Sequence, residues 1–401
     1  MSTDSVWILG ADMTRFGRFP DADVIDLASR SALGALADGK VTIHDIDILA
    51  AGSLFQASSG PGQRLQKQIG QTGVPVYNVA NACATGATAV RTVHMAIKAG
   101  EADMGLAVGM EQMGKMGLLG AAGVKKDKKV FEPDGRHGAV TGVDGYLGTA
   151  AMPGVFAQAG MAYAHDHDGV GFEQFARVAH KNHLHSTLNP LAQYRKEFSL
   201  EEVMGSPMMS YPNTLLMCCP TGDGAAAVVL VSGERLASMP KSVKKRAVRI
   251  SASVLTSDPW TESGQVQPDV STLTRRAATT AYEQAGVGPE DLDLVELHDC
   301  FATAELIHYD NLGLCEPGGA GDFIDRGAPM RDGTTPVNVS GGLISKGHPI
   351  GATGVANLYE VATHLRGEAG DRQIAGARVG LAHVIGLGSS CGVHILEKAA
   401  A

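Results

Sequence analysis

The feature that most limits what this chain can fold into is that it repeats itself. Residues 22–38 read as a helix, and a turn leads into Ile43-His44-Asp45-Ile46-Asp47-Ile48-Leu49, an Asp-apolar-Asp-apolar entry to a strand. Residues 271–285 and Pro289-Glu290-Asp291-Leu292-Asp293-Leu294-Val295-Glu296-Leu297-His298 repeat that pattern. Each copy then continues as strand, glycine-containing turn, helix and apolar strand: 76–79, 84–99 and 104–108 in the first, 336–339, 351–365 and 379–385 in the second. The alternative is two unrelated helix–strand pairs, which are common in α/β folds. A duplicated unit accounts for the shared order. Residues 118–215 differ from both copies, being charged, histidine-rich and broken by Gly and Pro. We therefore expect one half over 1–117 with 216–247, an inserted loop domain over 118–215, and a second half over 248–401.

A duplicated α/β unit has a functional consequence. Open α/β sheets bind ligands at the carboxyl ends of their strands, so equivalent strand-to-helix turns from two halves can meet at one cleft. In the first half that turn is Asn81-Ala82-Cys83-Ala84-Thr85-Gly86. In the second it lies in Asn338-Val339-Ser340-Gly341-Gly342-Leu343-Ile344-Ser345-Lys346-Gly347-His348-Pro349-Ile350-Gly351, where glycines would let the backbone approach a ligand closely. Taken alone, Cys83 reads as a small buried cysteine. At a helix N-terminus it can also be a nucleophile, because the macrodipole favours the thiolate. His348 then supplies the base that a cysteine nucleophile needs. His298 and Cys300, two apart at the end of a strand-like run, would face one side and share the pocket.

Rival chemistries fit less well. Zinc could recruit Cys218 and Cys219, but adjacent cysteines lack zinc-site spacing. Gly386-Leu387-Gly388 resembles a dinucleotide loop, yet a strand follows it instead of a helix, and the segment around Lys346 lacks a P-loop ending. His165, His167, His180, His183 and His185 read as a solvated helical set. The net charge of −9 argues against nucleic acid and membrane surfaces, so an anionic ligand would need a local basic patch. Two runs offer one, Lys125, Lys126, Lys128 and Lys129, and Lys241, Lys244, Lys245 and Arg246, although charge runs are usually solvated surface. The longest apolar runs, such as 224–231, are too short for a membrane span, and no signal peptide or C-terminal address is evident. A cytoplasmic protein with its six cysteines reduced is expected.

Together with Lys181-Asn182-His183, Cys218-Cys219-Pro220-Thr221-Gly222-Asp223-Gly224 and Gly313-Leu314-Cys315, these motifs resemble the thiolases, specifically the sterol carrier protein X type, almost end to end. The resemblance implies a five-layer α-β-α-β-α fold of two related halves plus a loop domain, forming a dimer or a dimer of dimers. It implies 3-ketoacyl-CoA as substrate, coenzyme A as co-substrate, and no metal or redox cofactor. It assigns Cys83 as the acylated nucleophile and His348 as its base. The N–H groups of Cys83 and Gly386 would form one oxyanion hole, with His348 and a water on His298 forming another. Many thiolases carry a second cysteine two residues before the position of Gly386, but Val384 stands here. That role passes to Cys300, with Cys391 as the fallback. Lys245, Arg246, Ser340 and Gly341 are the positions taken to contact coenzyme A. The lipid-carrying domain of sterol carrier protein X is not expected. Two other activities fit the resemblance: a retro-aldolase of hydroxyacyl-CoA steroid side chains with a small partner subunit, and a non-catalytic acyl-CoA or lipid carrier.

Overall fold

A computed structural model describes residues 5–113, 151–259, 270–387 and 390–399. In chain order the elements that position the site are β1 (Val6–Met13), α1 (Val24–Asp38), β2 (Ile48–Gly52), α2 (Pro61–Ile69), β3 (Val76–Val79), α3 (Thr85–Lys98) and β4 (Met104–Gln112). Next come α4 (Ala151–Asp166), α5 (Phe172–Ser186), β5 (Asp223–Ser232), β6 (Val248–Thr256), α6 (Val270–Ala285), β7 (Leu294–Glu296) and α7 (Ala302–Asn311). The chain closes with α8 (Gly342–Ser345), α9 (Ile350–Arg366), β8 (Val379–Gly386) and β9 (Ser390–Lys398).

Among the described residues nine of these strands form one mixed sheet in the order β3-β2-β4-β5-β1-β6-β9-β8-β7. It is two sheets joined at a seam where β1 pairs with β6 over Val6 to Ile8. Reading outward from that seam, each side runs through strands of matching sequence order: β1, β5, β4, β2 and β3 on one, β6, β9, β8 and β7 on the other. The duplication is thus present in the topology. The fifth strand of the second side, expected over 336–339, is reduced to a parallel bridge between Val295 and Val337. Pro336 has no N–H to give a ladder, and Asn338 turns into the left-handed region at φ 52°.

The helices make the five layers. Apolar residues of β5 alternate: Ala226, Val228 and Leu230 join a central core with Val90 and Val93 of α3 and Val355 and Leu358 of α9. Ala225, Ala227, Val229 and Val231 face the opposite way, onto Leu27, Ala28 and Leu36 of α1. A strand buried on both faces is the rule for sheets covered by helices on each side. Helices α3 and α9 each touch strands of both halves, so they lie between the two sheets. Helices α1 and α2 cover one outer face and α6 and α7 the other. Asp23 caps α1, its side chain accepting from the N–H of Ile25. Helices α4 and α5 pack on α7, so this part of the chain sits against the second half. The histidines of α5 are not solvated as expected. His183 and His185 are buried and bonded, His183 to the carbonyl of Leu216 and His185 to that of Asn338. No helix among the described residues is long and apolar enough to cross a membrane.

Candidate active site

The turn after β3 sets up the cysteine. Ala82 is held at φ 47°, a conformation costly for a side-chain-bearing residue and typical of functional turns. The Thr85 hydroxyl fixes it by donating to the Ala82 carbonyl at 2.6 Å and accepting the N–H of Asn81 at 2.8 Å. Cys83 is thereby placed at the mouth of α3, buried, with its own N–H and that of Leu387 on the sulfur. The thiol does not behave as the helix-dipole argument predicts. Burial, with the nearby Glu111 carboxylate adding to it, pushes its pKa from an ordinary 9.0 to about 12. A rise of that size corresponds to about 4 kcal/mol. A helix terminus contributes at most about 2 kcal/mol, so burial wins and the resting group is a thiol.

His348 stands at the N-terminus of α9. Its Nδ1 lies 2.8 Å from the Thr353 hydroxyl, which donates its own hydrogen to the Pro349 carbonyl at 3.0 Å. Thr353 can therefore only accept from the ring, so the proton sits on Nδ1 and the Nε2 lone pair is left free. That Nε2 is buried without a protein partner. Burial, then the charge of Lys346, lowers the His348 pKa from 6.5 to about 3, so the ring is a neutral acceptor at pH 7. The His298 ring crosses it edge-on, centroids 5.2 Å apart, and is likewise held neutral by burial and by its neighbours His348 and His383. The Cys83 sulfur and one nitrogen from each histidine all lie within 4.8 Å of one another. A thiol and two imidazoles are a donor set that suits zinc. They equally suit a nucleophile with a base and a hydrogen-bond donor.

Cys300 lines the same cleft, against Cys218, Cys219 and Phe301. The carbonyl of Cys300 accepts the N–H of Cys219 at 2.9 Å, and Cys218 bridges Phe301, so the Cys-Cys-Pro segment forms a wall beside the His-Asp-Cys-Phe segment. Burial pushes the Cys300 and Cys219 thiols well above the ordinary range; Cys219 and Cys83 add to it at Cys300, and Cys218 and Cys83 add to it at Cys219. Cys391 is buried inside β9, opposite Thr256 and Ile385, and is not a cleft residue. The amide that reaches the Cys83 sulfur from the last turn is that of Leu387, one residue beyond Gly386. Gly386 packs so closely on the cysteine turn that a Cβ there would lie 2.6 Å from the Asn81 carbonyl.

A buried polar network holds these loops. Asp299 accepts the N–H groups of Leu343 and Ile344 at the start of α8, and also the Asn182 amide. Glu305 pairs with Lys181 at 2.8 Å and accepts from Asn182, Asn338 and Tyr309. The Asn338 side chain returns to accept the N–H of Leu297. The His298 and His348 loops are thus tied together through α5 and α7. A second network places Lys346 between Glu296 and Asn357, with Ser340 donating to Glu296. Lys181-Asn182-His183 was the visible sequence signal for this support.

The structure does not bring the expected coenzyme A residues to the cleft. Arg246 is tied to Asp38 and Glu368, Lys245 sits exposed beside it, and Ser340 and Gly341 are buried behind the loop. The 125–129 basic run lies outside the described residues. Among the described residues, the charged ones that line the cleft are instead Arg18 and Lys196, both cationic. Its volume is about 500 Å³, and its walls are apolar, formed by Met152, Phe156, Phe198, Leu216 and Ile344 among others.

Two family models match this chain: Thiolase, N-terminal domain, over residues 6–209, and Thiolase C-terminal domain-like, over 259–398. Sterol carrier protein 2 of Homo sapiens is 37% identical over 391 residues, covering 96% of this chain and 70% of its own length. An acetyl-CoA acetyltransferase of Methanothermobacter thermautotrophicus is 34% identical over 400 residues, 98% and 99% of the two chains. Among solved structures, an Ltp2–ChsH2(DUF35) aldolase matches with a TM-score of 0.80 at 23% identity, covering 98% of each chain. Human mitochondrial 3-ketoacyl-CoA thiolase in complex with CoA matches at 0.74 and 19%, covering 99% of each. At those identities the structural likeness speaks for the fold alone.

Proposed function

This chain belongs to the thiolase family, and on that premise we propose that it is a 3-ketoacyl-CoA thiolase working through an acyl-Cys83 intermediate. The observation that carries the reading is the Cys83–His298–His348 cluster, whose reactive atoms lie within 4.8 Å of each other at the floor of an apolar cleft. Thiol and imidazole are both neutral at rest, so the proton moves from Cys83 to His348 Nε2 as the sulfur attacks the 3-keto carbon. The Cα–Cβ bond then breaks, leaving the acyl group on sulfur and an enolate on the departing acetyl-CoA or propionyl-CoA. Protonated His348, and a water on His298, meet the enolate oxygen, while Cys300 supplies the carbon-bound proton. The Cys300 thiolate then takes the thiol proton of coenzyme A, whose sulfur takes the acyl group, and His348 returns its proton to the freed Cys83 sulfur. The N–H groups of Cys83 and Leu387 are the donors suited to the acyl-thioester oxygen. Run backwards, the same steps condense two acyl-CoAs.

Apolar walls fit the acyl chain, with the exposed Met209, Leu215 and Tyr194 extending the apolar surface to the rim. Arg18 and Lys196 fit the phosphates of coenzyme A, the cation–π seat of Lys196 on Phe198 keeping its ammonium at the mouth. The chemistry asks for no metal or redox cofactor. A cytoplasmic homodimer or dimer of dimers is the expected form. Thiolysis of acetoacetyl-CoA and of a medium or branched 3-ketoacyl-CoA, by wild type and Cys83→Ala, tests the reading. Cys83-dependent release of acetyl-CoA, with an acylated enzyme visible by intact mass, supports it. Folded wild-type protein that cleaves neither ester transfers the assignment to the retro-aldolase reaction.

A further inference from the structure

The same three side chains that suit acyl transfer also suit a metal ion, and the details of their surroundings favour one. The Cys83 sulfur and one nitrogen each of His298 and His348 lie within 4.8 Å of one another, and among the described residues this is the one group of three such donors that converges. With Zn–S at about 2.3 Å and Zn–N at about 2.0–2.1 Å, neighbouring donors of a tetrahedral zinc site stand about 3.3–3.6 Å apart. The three side chains would therefore close by up to about 1.5 Å around an ion. His348 already has the form of a ligand. Its Nδ1–H is held by the Thr353 hydroxyl at 2.8 Å, which leaves a lone pair on Nε2, and that nitrogen is buried without a protein partner. Histidines that bind metals are oriented by such a bond from their other ring nitrogen. His298 Nδ1 also lacks a protein partner among the described residues, so that ring is not committed to its present tautomer. A dication on one thiolate leaves a positive charge in a buried place, which needs an opposite charge nearby. Glu111 supplies it: its buried carboxylate accepts from the Ser53 hydroxyl at 2.9 Å and the Leu54 N–H at 2.7 Å, and lies close enough to Cys83 to raise its thiol. The Lys346 ammonium, which would oppose a cation, is already paired with Glu296 at 3.4 Å.

We propose that Cys83, His298 and His348 form a binding site for zinc, its fourth position open to the cleft, and that a bound ion switches the enzyme off. Binding breaks the S–H bond of Cys83, forms a Zn–S bond and releases the proton to solvent. The two neutral imidazoles give lone pairs, and nothing is oxidised or reduced. The ion occupies the sulfur and the His348 lone pair together, so a loaded site has neither a nucleophile nor a base. Thiolate and imidazole select soft and borderline cations, whereas magnesium takes oxygen ligands and should not bind. The binding site stands without the thiolase reading, and only the loss of activity rests on it.

The test titrates metal-free enzyme with zinc chloride, and with cobalt(II) chloride as its coloured substitute. One equivalent should bind, the cobalt form showing thiolate charge-transfer and tetrahedral d–d absorption. X-ray absorption of the zinc form should show one sulfur at about 2.3 Å and two nitrogens at about 2.0 Å. Zinc should shield Cys83 from iodoacetamide, and magnesium chloride should not. Thr353→Val removes the partner of His348 Nδ1 and should weaken zinc binding about 10- to 100-fold, with Thr353→Ser restoring it. A site built from the neighbouring Cys218, Cys219 and Cys300 thiols would ignore that change. Two or more sulfurs on the ion, binding that persists in Cys83→Ser, or no binding at all overturns the proposal. The X-ray absorption result on wild type decides even if a variant fails to fold. Thiolysis of acetoacetyl-CoA that stops on zinc loading and returns with a chelator supports the switch, and thiolysis that saturating zinc leaves untouched overturns it. Zinc bound as described to an enzyme with no thiolysis when metal-free upholds the site and counts against the thiolase reading instead.

Discussion

Replacing Thr353 by Val isolates the hydrogen bond that would fit His348 for the proposed role of base. The hydroxyl is fully buried and joins two bonds: it accepts from His348 Nδ1–H at 2.8 Å and donates to the Pro349 carbonyl at 3.0 Å. Valine keeps the shape and removes the acceptor. The ring then has no reason to keep its proton on Nδ1, and moving it to Nε2 puts a donor where the Cys83 proton must go. The bond lost is buried, and leaving its donor unpaired costs about 1–3 kcal/mol. At about 1.4 kcal/mol per factor of ten, that shifts the tautomer balance by about 5- to 150-fold against the reactive form. The first chemical step should slow by the same range, because only the correctly protonated fraction reacts. Single-turnover formation of acyl-enzyme from acetoacetyl-CoA should therefore fall about 5- to 150-fold, with kcat falling in parallel and KM nearly constant. Thr353→Ser retains the hydroxyl and should stay within about threefold of wild type, since the lost methyl group makes no hydrogen bond. Thr353→Val acylating within about twofold of wild type, with native melting behaviour, would refute the assignment of Nε2 as the base, because the predicted range starts above that.

Because burial raises the Cys83 thiol to about 12, iodoacetamide should alkylate it slowly at pH 7, and the rate should rise about tenfold per pH unit from 7 to 9. A rate already level at pH 7 would mean a preformed thiolate. Stability should weaken on acidification. Among the described residues nine histidines have pKa values lowered by burial, including His185, His308 and His348 at about 3. The unfolded chain binds protons near pH 6.5 that the folded chain refuses, so stability is full above that pH and declines below it. Four carboxyls raised by burial, among them Asp12 at about 6, oppose this and are outnumbered. The urea midpoint should fall steadily from pH 6.5 to 5, and a flat profile would contradict the buried neutral rings. Lys181→Met leaves the Glu305 carboxylate buried without its 2.8 Å partner and should cost about 3–5 kcal/mol in urea unfolding. A loss under about 1 kcal/mol would show the pair to be dispensable.

The duplication could be read from sequence because it is written in local chemistry. Helical patterns, Asp-apolar entries and apolar strand runs recur in the same order, and α1, α6, β2 and β7 form where those signals stand. Cys83 and His348 could be paired for the same reason, since equivalent turns of a duplicated unit converge. Properties that depend on the assembled interior were not legible. The protonation of Cys83 is one, because a helix N-terminus is a sequence feature whereas complete burial is a tertiary one. The role of Lys181, Asn182 and Glu305 is another, as their bonds span 117 to 156 residues of chain. Basic runs misled because charge density says nothing of where a side chain is spent: Arg246 is consumed by Asp38 and Glu368. Single cations far apart in sequence, Arg18 and Lys196, reach the cleft instead.

The glycines carry a related lesson. Those around His348 suggested close approach to a ligand, yet at the helix mouths they serve the approach of one half to the other. A Cβ on Gly86 of α3 would lie 2.9 Å from both the Gly351 carbonyl and the Val355 N–H nitrogen of α9. One on Gly354 would lie 2.4 Å from the backbone nitrogen of Ala87, and one on Gly351 2.3 Å from the Met110 carbonyl of β4. These obstacles are backbone, which cannot swing aside. The two central helices therefore meet main chain to main chain within a turn of Cys83 and His348, at a spacing that no side chain permits. A displacement of about 1 Å between reacting groups can cost about 10² in rate. The duplicated fold brings the proposed nucleophile from one half and its proposed base from the other to the same place, and the paired glycines bring them into reach.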